Sequence, residues 1–230
     1  MISSPKKTQG FSLVEIAIVM VILGFLIGGL MKPLGRQMEA SQVMTTHKAI
    51  NEFKTAALGF ALINGRLPCP DADGDGLEDQ IGGATCPAAE CVALEGEPAW
   101  ATLGTSRQDA WGQPFIYQVS ARFAYDSSCT DPCAGASTIP GVAFQMCSTG
   151  TINVTEGNDG VYTGLPVANA LPMIIISKGK NRGGSMPDEN ENTDADPNFV
   201  KRKLNEVPAH AFNDLVGWIS TPILIAEWFN

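Results

Sequence analysis

The chain has 230 residues, a formal net charge of −9 and 17% charged side chains. This acidic balance argues against a nucleic-acid-binding surface, which would carry net positive charge. The length is sufficient for one domain with its own core, or for one such domain with a large insertion.

The first element is an apolar segment near the amino terminus. Residues 1–10 (MISSPKKTQG) are polar and contain Lys6 and Lys7, whereas residues 11–31 contain one charged side chain, Glu15, and one other polar side chain, Ser12. About 20 apolar residues can span a bilayer as a helix. Basic residues before such a span favour the cytoplasmic side. The pattern predicts a single span with its amino terminus inside and the rest of the chain outside.

Residues 10–15 read GFSLVE. This register of Gly10, Phe11 and Glu15 after a short basic leader resembles the class III leader of type IV prepilins and type II secretion pseudopilins. The resemblance implies that a membrane prepilin peptidase cuts after Gly10 and methylates the new amino terminus of Phe11. It also implies that Glu15 pairs with the terminal amine of a neighbouring subunit, which offsets desolvation of the carboxylate. The alternative is an ordinary signal anchor.

The same resemblance implies an organisation for the whole chain. Residues 1–10 would be the leader, residues 11–35 the transmembrane half of a long helix, and residues 36–230 a periplasmic or extracellular pilin-like domain. The expected fold class is α+β, with the long helix packed on an antiparallel sheet and with long disulfide-bearing loops. The expected location is the bacterial inner membrane and then a periplasmic or cell-surface filament.

The helical pattern continues beyond the apolar segment. From Ile50 onward apolar residues recur at spacings of three and four, which predicts an amphipathic helix. The predicted helix covers residues 11–64 and ends at Gly65, a residue suited to a C-cap. The glycines at 24, 28 and 29 and Pro33 predict a weakened middle, with a kink or local melting.

The cysteines predict disulfides. All of them follow the apolar segment, where the topology predicts an oxidising compartment: Cys69, Cys86, Cys91, Cys129, Cys133 and Cys147. An even number there indicates a disulfide set, although the sequence does not choose the pairing. The favoured arrangement joins Cys86 to Cys91, Cys129 to Cys133, and Cys69 to Cys147. Zinc is the competing interpretation, but no CxxC pair occurs.

The remaining chain alternates between loops and short strands. Residues 66–99 predict a long irregular loop rich in Gly, Pro, Asp and Cys. Apolar or alternating runs predict strands at residues 114–119, 142–147, 172–177 and 215–219. Residues 183–198 predict an acidic, mobile loop. One long helix followed by strands and loops indicates an α+β domain.

An acidic loop provides the candidate metal site. Its alternating carboxylates and central glycine resemble the short DxDxDGxxD calcium motif of extracellular proteins. The predicted calcium ligands are the carboxylates of Asp71, Asp73, Asp75 and Asp79 and the carbonyl group of Leu77. The position of the terminal EF-hand glutamate is Gly82 here, so the loop departs from an EF-hand. The alternative is an acidic solvated turn.

Two further segments are informative about the fold more than about chemical activity. Residues 109–114 (DAWGQP) resemble a turn at the entry to the sheet of pseudopilin and minor-pilin domains. We predict a structural role for this segment, in which Gly112 and Pro114 set the turn while Trp111 and Tyr117 pack. The alternative, which the resemblance to some pseudopilins suggests, is calcium binding by Asp109. The basic, Gly-rich residues 177–184 lack the first glycine of a P-loop and resemble a turn in large minor-pilin-like proteins. Lys178, Lys180 and Arg182 could contact a neighbouring subunit.

Enzymatic activity has little support in the sequence, which lacks a G-x-S-x-G elbow, an HExxH motif and a Walker loop. His47 and His210 are predicted to be structural or exposed. The sequence therefore predicts a non-enzymatic minor pilin or pseudopilin whose partners are other subunits, prepilin peptidase and the inner membrane, and not nucleic acid. The alternative is a membrane-anchored adhesin or ligand-binding protein that does not polymerise.

Overall fold

The computed structural model describes residues 10, 12–82, 90–126, 141–145, 147–157, 164–184 and 186–226. The chain divides into two compact units, Met1–Val43 and Met44–Asn230. The first unit contains the beginning of helix α1, and the second contains the end of α1 together with the sheets.

Helix α1 covers Leu13–Asn64 and has 52 residues, close to the predicted range of 11–64. Its backbone stays helical through residues 24–33, so the predicted weakening produces no break. The helix ends at Gly65, which has a positive φ of 71° and donates its N–H to Ala61 O at 2.7 Å. A glycine adopts this left-handed conformation without a Cβ penalty, which confirms the predicted C-cap.

No helix in the described part of the chain combines the length and apolarity needed to cross a membrane.

The strands of the second unit form two sheets in the described residues. The strands are β1 (Glu95–Gly96), β2 (Ile116–Val119), β3 (Ile152–Glu156), β4 (Pro166–Leu171), β5 (Met173–Ser177), β6 (Asn198–Lys201) and β7 (Leu215–Ile219). One sheet has the order β1-β2-β5-β7 and is antiparallel throughout. The other has the order β4-β3-β6, in which β3 pairs with β4 antiparallel and with β6 parallel. The predicted α+β class is confirmed, and the second sheet is mixed.

Short helices connect these strands or follow the last of them. They are α2 (Trp100–Leu103), α3 (Pro187–Glu191) and α4 (Thr221–Ala226), with 3₁₀ turns at Ala121–Ala124 and Pro208–His210.

Strand β5 is buried on both faces, which explains its continuous apolar sequence. Its residue Ile175 lies opposite Gly217 of β7, on the face that meets Ile50 of α1. Its residues Ile174 and Ile176 belong to a buried cluster with residues of β3, β4 and β6. The second unit therefore has three layers: the end of α1, the four-stranded sheet and the three-stranded sheet.

The contact between α1 and the sheet follows the predicted apolar stripe. Ile50, Phe53, Ala57 and Ala61 are all buried in the second unit. The ring of Phe53 meets that of Tyr117 edge-on, with centroids 5.0 Å apart. Aromatic pairs favour this edge-to-face geometry.

The predicted strand at residues 142–147 is wrong for the described part of that range, which is irregular and contains a bend and a turn but no strand. Val142, Ala143 and Phe144 are apolar and buried. The ring of Phe144 packs on that of Phe123, with centroids 5.4 Å apart. The Ala143 N–H donates to Gly65 O at 2.8 Å instead of joining a ladder. The segment is apolar because it is buried, and this composition looks like that of a strand although its described residues pair with no other strand.

The predicted mobile loop at residues 183–198 is also wrong, since it contains α3 and three almost fully buried polar residues. Asp188, Glu189 and Asn192 are 1%, 0% and 1% exposed. Each has a side-chain hydrogen-bond partner, which compensates part of the cost of burying these polar groups, although Asp188 Oδ1 has none.

Candidate functional site

Helix α1 begins with reciprocal hydrogen bonds between Ser12 and Glu15. The Glu15 backbone N–H donates to Ser12 Oγ at 3.2 Å, and the Ser12 backbone N–H donates to Glu15 Oε2 at 3.4 Å. This is a capping box, which satisfies two N–H groups that the first helical turn leaves unpaired. The helix dipole also favours a carboxylate at this end. Glu15 therefore has a local role at the helix start.

The side chains around and after Glu15 form an exposed apolar surface on α1. Its large apolar members are Leu13, Val14, Ile16, Ile18, Val19, Met20, Val21, Ile22, Leu23, Phe25, Leu26 and Ile27, all of which are exposed. We call this set the N-terminal apolar surface. Contiguous exposed apolar area of this extent indicates contact with protein or lipid.

Of the two residues that flank the proposed cleavage position, the structure describes Gly10. Gly10 is exposed, and among the described residues none beyond its chain neighbours comes within 4 Å of the position that a Cβ would occupy there. Phe11 lies outside the described residues.

Three of the predicted calcium ligands come together in the acidic loop. One carboxylate oxygen from each of Asp71, Asp73 and Asp79 lies within 4.8 Å of the others. Asp75 is outside this group, and its Oδ1 accepts a hydrogen bond from the Leu77 N–H at 2.7 Å. These hard oxygen donors suit Ca²⁺, which takes about six to eight oxygens, so the three carboxylates would form part of a coordination shell.

The acidic loop folds around its buried member, Asp71, which is 2% exposed. Its two carboxylate oxygens accept hydrogen bonds from the N–H groups of Gly74 at 2.6 Å and Gly76 at 2.7 Å. Gly76 has a φ of 89°, and a Cβ there would lie 2.4 Å from Trp100 Cε2, so only glycine fits. Each carboxylate oxygen has two lone pairs, so these bonds leave Asp71 capacity for a cation.

Glu78, within the same loop, is bound by a buried arginine. Arg66 Nη1 and Nη2 donate to Glu78 Oε2 and Oε1, both at 2.9 Å, and Arg66 is 7% exposed. Glu78 Oε2 also accepts from the Cys69 N–H at 3.1 Å. A bidentate arginine–carboxylate pair is geometrically specific. It fixes the loop to the residues that follow α1.

The disulfide pairing differs from the favoured arrangement. Cys69 is bonded to Cys91, with Cα atoms 5.2 Å apart, so the predicted Cys69–Cys147 and Cys86–Cys91 pairs are wrong. Cys147 is disulfide-bonded as well. Its partner lies outside the described residues, as do Cys86, Cys129 and Cys133. Chain folding brings Cys69 and Cys91 together across the acidic loop, and sequence spacing does not encode that approach.

A family model for the prokaryotic N-terminal methylation motif matches residues 5–31, a range that includes Gly10, Phe11 and Glu15. The chain carries a type IV prepilin-like signal. Such a signal is typical of type IV pilin-like proteins and pseudopilins, and it implies association with pilin subunits and prepilin peptidase in general terms. No curated protein and no solved structure matches the chain with significance.

In the DAWGQP segment, Asp109 has a structural role that the sequence analysis did not assign to it. Its Oδ1 accepts from the N–H groups of Trp111 and Gln113, both at 2.9 Å. Its Oδ2 accepts from Ser177 Oγ at 2.6 Å. Asp109 thus sets the turn before β2 and joins it to the end of β5.

The basic turn at residues 177–184 is also structural. Gly179 has a φ of 59°, and a Cβ there would lie 2.3 Å from Asn213 O. Asn181 Nδ2 donates to both carboxylate oxygens of Glu189, at 2.8 and 2.9 Å. Lys180 forms an ion pair with Glu206. The glycines and Asn181 therefore hold the turn against α3 and the segment before β7.

Sequence reasoning missed a buried polar network next to this turn. Asn192 Nδ2 donates to Asp214 Oδ2 at 2.8 Å and to Val200 O at 3.0 Å. Burial raises the pKa of Asp214 to about 7; the charge of Glu189 adds to this rise, while the Asn192 hydrogen bond opposes it. The sequence signal was an acidic stretch with no periodicity, which is equally typical of a solvated loop.

A second group of carboxylates was also missed. Burial, and then the charges of Asp194 and Asp196, raise the pKa of Glu191 to about 7 and raise the pKa of Glu95 above its usual value. Glu95 lies far from the others in sequence, so the sequence carried no signal for this group.

Proposed function

We propose that the chain is a non-enzymatic structural subunit, a minor pilin or pseudopilin, of a type IV pilus or type II secretion filament. Prepilin peptidase would cleave after Gly10 and methylate Phe11. The subunit would reside in the bacterial inner membrane with its amino terminus inside and its disulfide-bonded domain in the periplasm. It would then assemble with other pilin or pseudopilin subunits through α1.

The observation that carries this proposal is the match of residues 5–31 to the methylation motif. The N-terminal apolar surface supports it, because covering these exposed side chains with lipid or neighbouring helices lowers the free energy of the system. Glu15 supports it too, because a carboxylate in an apolar helix costs about 2.5–3.5 kcal/mol on insertion scales unless it is paired. The methylated amine of a neighbouring subunit would provide that pairing.

Intact mass and amino-terminal sequencing of the membrane-extracted chain, with and without co-expressed prepilin peptidase, test the proposal. The expected result is peptidase-dependent loss of residues 1–10, leaving methylated Phe11. Since Lys6 and Lys7 are the only charged side chains lost, the formal charge would change from −9 to −11. An uncleaved chain in the presence of active peptidase would reject the proposal and favour a membrane-anchored adhesin or ligand-binding protein.

We also propose structural Ca²⁺ binding by the acidic loop. The convergence of Asp71, Asp73 and Asp79 supports this, with Leu77 O and Asp75 as the remaining ligands that the sequence suggests. Ca²⁺ there would reduce the repulsion among the three carboxylates. It would stabilise the loop beside the Cys69–Cys91 disulfide.

A further inference from the structure

Residues 187–198 contain α3 and the connection to β6, and we call them the α3 segment. Their sequence, PDENENTDADPN, has five carboxylates, no basic side chain and no large aliphatic or aromatic side chain. The members with almost no exposed area are Asp188, Glu189 and Asn192, all of which are polar. Because hydrophobic burial contributes little here, buried polar contacts hold the segment on the domain.

Asn192 of the α3 segment covers the edge of a sheet. Strand β6 lies at one edge of the three-stranded sheet. The Val200 N–H donates to Asn192 Oδ1 at 2.8 Å, and Asn192 Nδ2 donates to Val200 O at 3.0 Å. A side-chain amide thus takes the place of a neighbouring strand. It satisfies two backbone groups that an edge strand otherwise leaves unpaired.

The same amide contacts Asp214, an almost fully buried carboxyl group that precedes β7. Asn192 Nδ2 donates to Asp214 Oδ2 at 2.8 Å. The other oxygen, Oδ1, is buried, and no donor among the described residues reaches it. A negative charge on Asp214 is therefore poorly solvated, because water is excluded and one neutral amide faces it.

Burial raises the pKa of Asp214 to about 7, and charged neighbours among the described residues modify this value. Glu189 of α3, whose carboxylate accepts from the Asn213 N–H at 2.8 Å, adds to the rise. Lys178, which follows β5, opposes it, as does the Asn192 hydrogen bond. In water the same carboxyl group ionises near pH 4. Ionisation therefore favours a state in which the α3 segment no longer covers Asp214.

We propose that the α3 segment is a pH-sensitive lid that covers Asp214 and the β6 edge while this carboxyl group is protonated and opens locally when it releases its proton to water. Opening removes Glu189 and Asn192 from the carboxylate and lets water solvate it. It also frees the Val200 N–H and C=O groups at the sheet edge. The sheets can stay folded during this opening, because the apolar cluster between them contains no residue of the α3 segment.

The inference does not depend on filament assembly. Hydrogen–deuterium exchange of the full-length, detergent-solubilised chain, measured by mass spectrometry from pH 5 to pH 8 and corrected for the intrinsic exchange rate, tests it. Burial also raises the pKa of Glu191, within the segment, to about 7. The matched proteins are therefore E191Q, which retains Asp214, and E191Q/D214N. The D214N change keeps the side-chain shape and an acceptor oxygen but prevents ionisation. Peptides from β5 report global unfolding.

In E191Q, the open fraction of the α3 segment should rise by up to about a hundredfold between pH 5 and pH 8, because covering the Asp214 carboxyl group moves its ionisation from near pH 4 to about pH 7. In E191Q/D214N the open fraction should change by less than about threefold over the same range. Strand β5 should stay protected in both proteins.

Equal pH dependences of the two proteins would overturn the inference. Simultaneous opening of β5 and the α3 segment would also overturn it, since the opening would then be global. If D214N alters the circular dichroism spectrum, the pH series of E191Q and of the wild type decide the question. A rise confined to the α3 segment in both supports the lid, and an open fraction independent of pH rejects it.

Discussion

Ser12 and Glu15 cap the start of α1 reciprocally, through hydrogen bonds of 3.2 and 3.4 Å. Replacement of Glu15 by alanine would therefore remove both a charge and a helix cap. Replacement by glutamine separates the two, since its amide oxygen can still accept from the Ser12 N–H.

We expect both E15Q and E15A to enter the membrane normally but to be incorporated into filaments at least about tenfold less, since loss of ~1.4 kcal/mol reduces an association constant tenfold. S12A retains the charge and should be incorporated nearly as the wild type, although the cap weakens by about 1 kcal/mol. Immunoblotting of sheared filaments against membrane fractions measures incorporation. If E15Q assembles normally and E15A does not, Glu15 acts through the cap; if both assemble normally, it has no assembly role.

Ca²⁺ bound by the acidic loop should raise the thermal midpoint of the chain, and only some of the carboxylates in the loop should be needed for this effect. At a free concentration about 100 times the dissociation constant, Ca²⁺ would stabilise the chain by about 2.7 kcal/mol, which raises its thermal midpoint by several degrees. D73N should reduce this increase, because Asp73 belongs to the convergent group. Because Asp75 lies outside that group, D75N tests whether Asp75 is a further ligand, and an unchanged response to Ca²⁺ would remove it from the proposed set. Differential scanning calorimetry of each variant in EDTA and in Ca²⁺ gives the comparison, and equal responses of D73N and the wild type would reject the site.

Asp214 should make the protein less stable as the pH rises. The unfolded carboxyl loses its proton near pH 4, whereas burial raises its folded pKa to about 7. The folded state therefore holds the proton longer, so the destabilisation begins near pH 4, grows as the pH rises and is complete above pH 7.

Between pH 5 and pH 8 the wild type should lose roughly 2–3 kcal/mol more unfolding free energy than D214N. Urea unfolding at the two pH values measures this difference. Parallel pH dependences of the two proteins would show that Asp214 titrates normally.

Gly217 allows β7 to approach α1 closely. A Cβ at this position would lie 2.4 Å from Ile50 Cγ2. G217A should therefore destabilise the fold by about 1–3 kcal/mol through overpacking. In an I50A background the same change should cost less, because the clashing methyl group is absent. A double-mutant cycle by urea unfolding measures the coupling, and purely additive effects would contradict the contact.

The Cys69–Cys91 disulfide should contribute substantially to stability. It closes a loop with a sequence separation of 22, for which chain entropy predicts about 3 kcal/mol. The C69S/C91S variant should lose about that much unfolding free energy and should therefore unfold at a lower urea concentration than the wild type. Non-reducing peptide mapping should recover the Cys69–Cys91 pair, and recovery of Cys69 linked to Cys147 would contradict the pairing.

The local signals in the sequence were reliable where neighbouring residues determine the structure. The GFSLVE register gave the prepilin-like signal, and the spacing from Ile50 to Ala61 gave the buried face of α1. The left-handed C-cap at Gly65 followed from the stereochemistry of glycine alone. Strand β7 was predicted with its observed bounds, because its apolar run is short and bounded by polar residues.

Tertiary contacts decided the rest. Phe144 is apolar because it packs on Phe123, and no periodicity distinguishes such burial from a strand. Glu189 and Asp214 are buried because Asn181 and Asn192, from other segments, donate hydrogen bonds to them. Cys69 is bonded to Cys91, and Glu95 lies near the acidic residues before β6, only because the fold brings these distant segments together. The sequence by itself determined the amino-terminal signal and the local backbone elements; only the tertiary structure decided which distant polar groups meet, because their burial is favourable solely when their partners arrive with them.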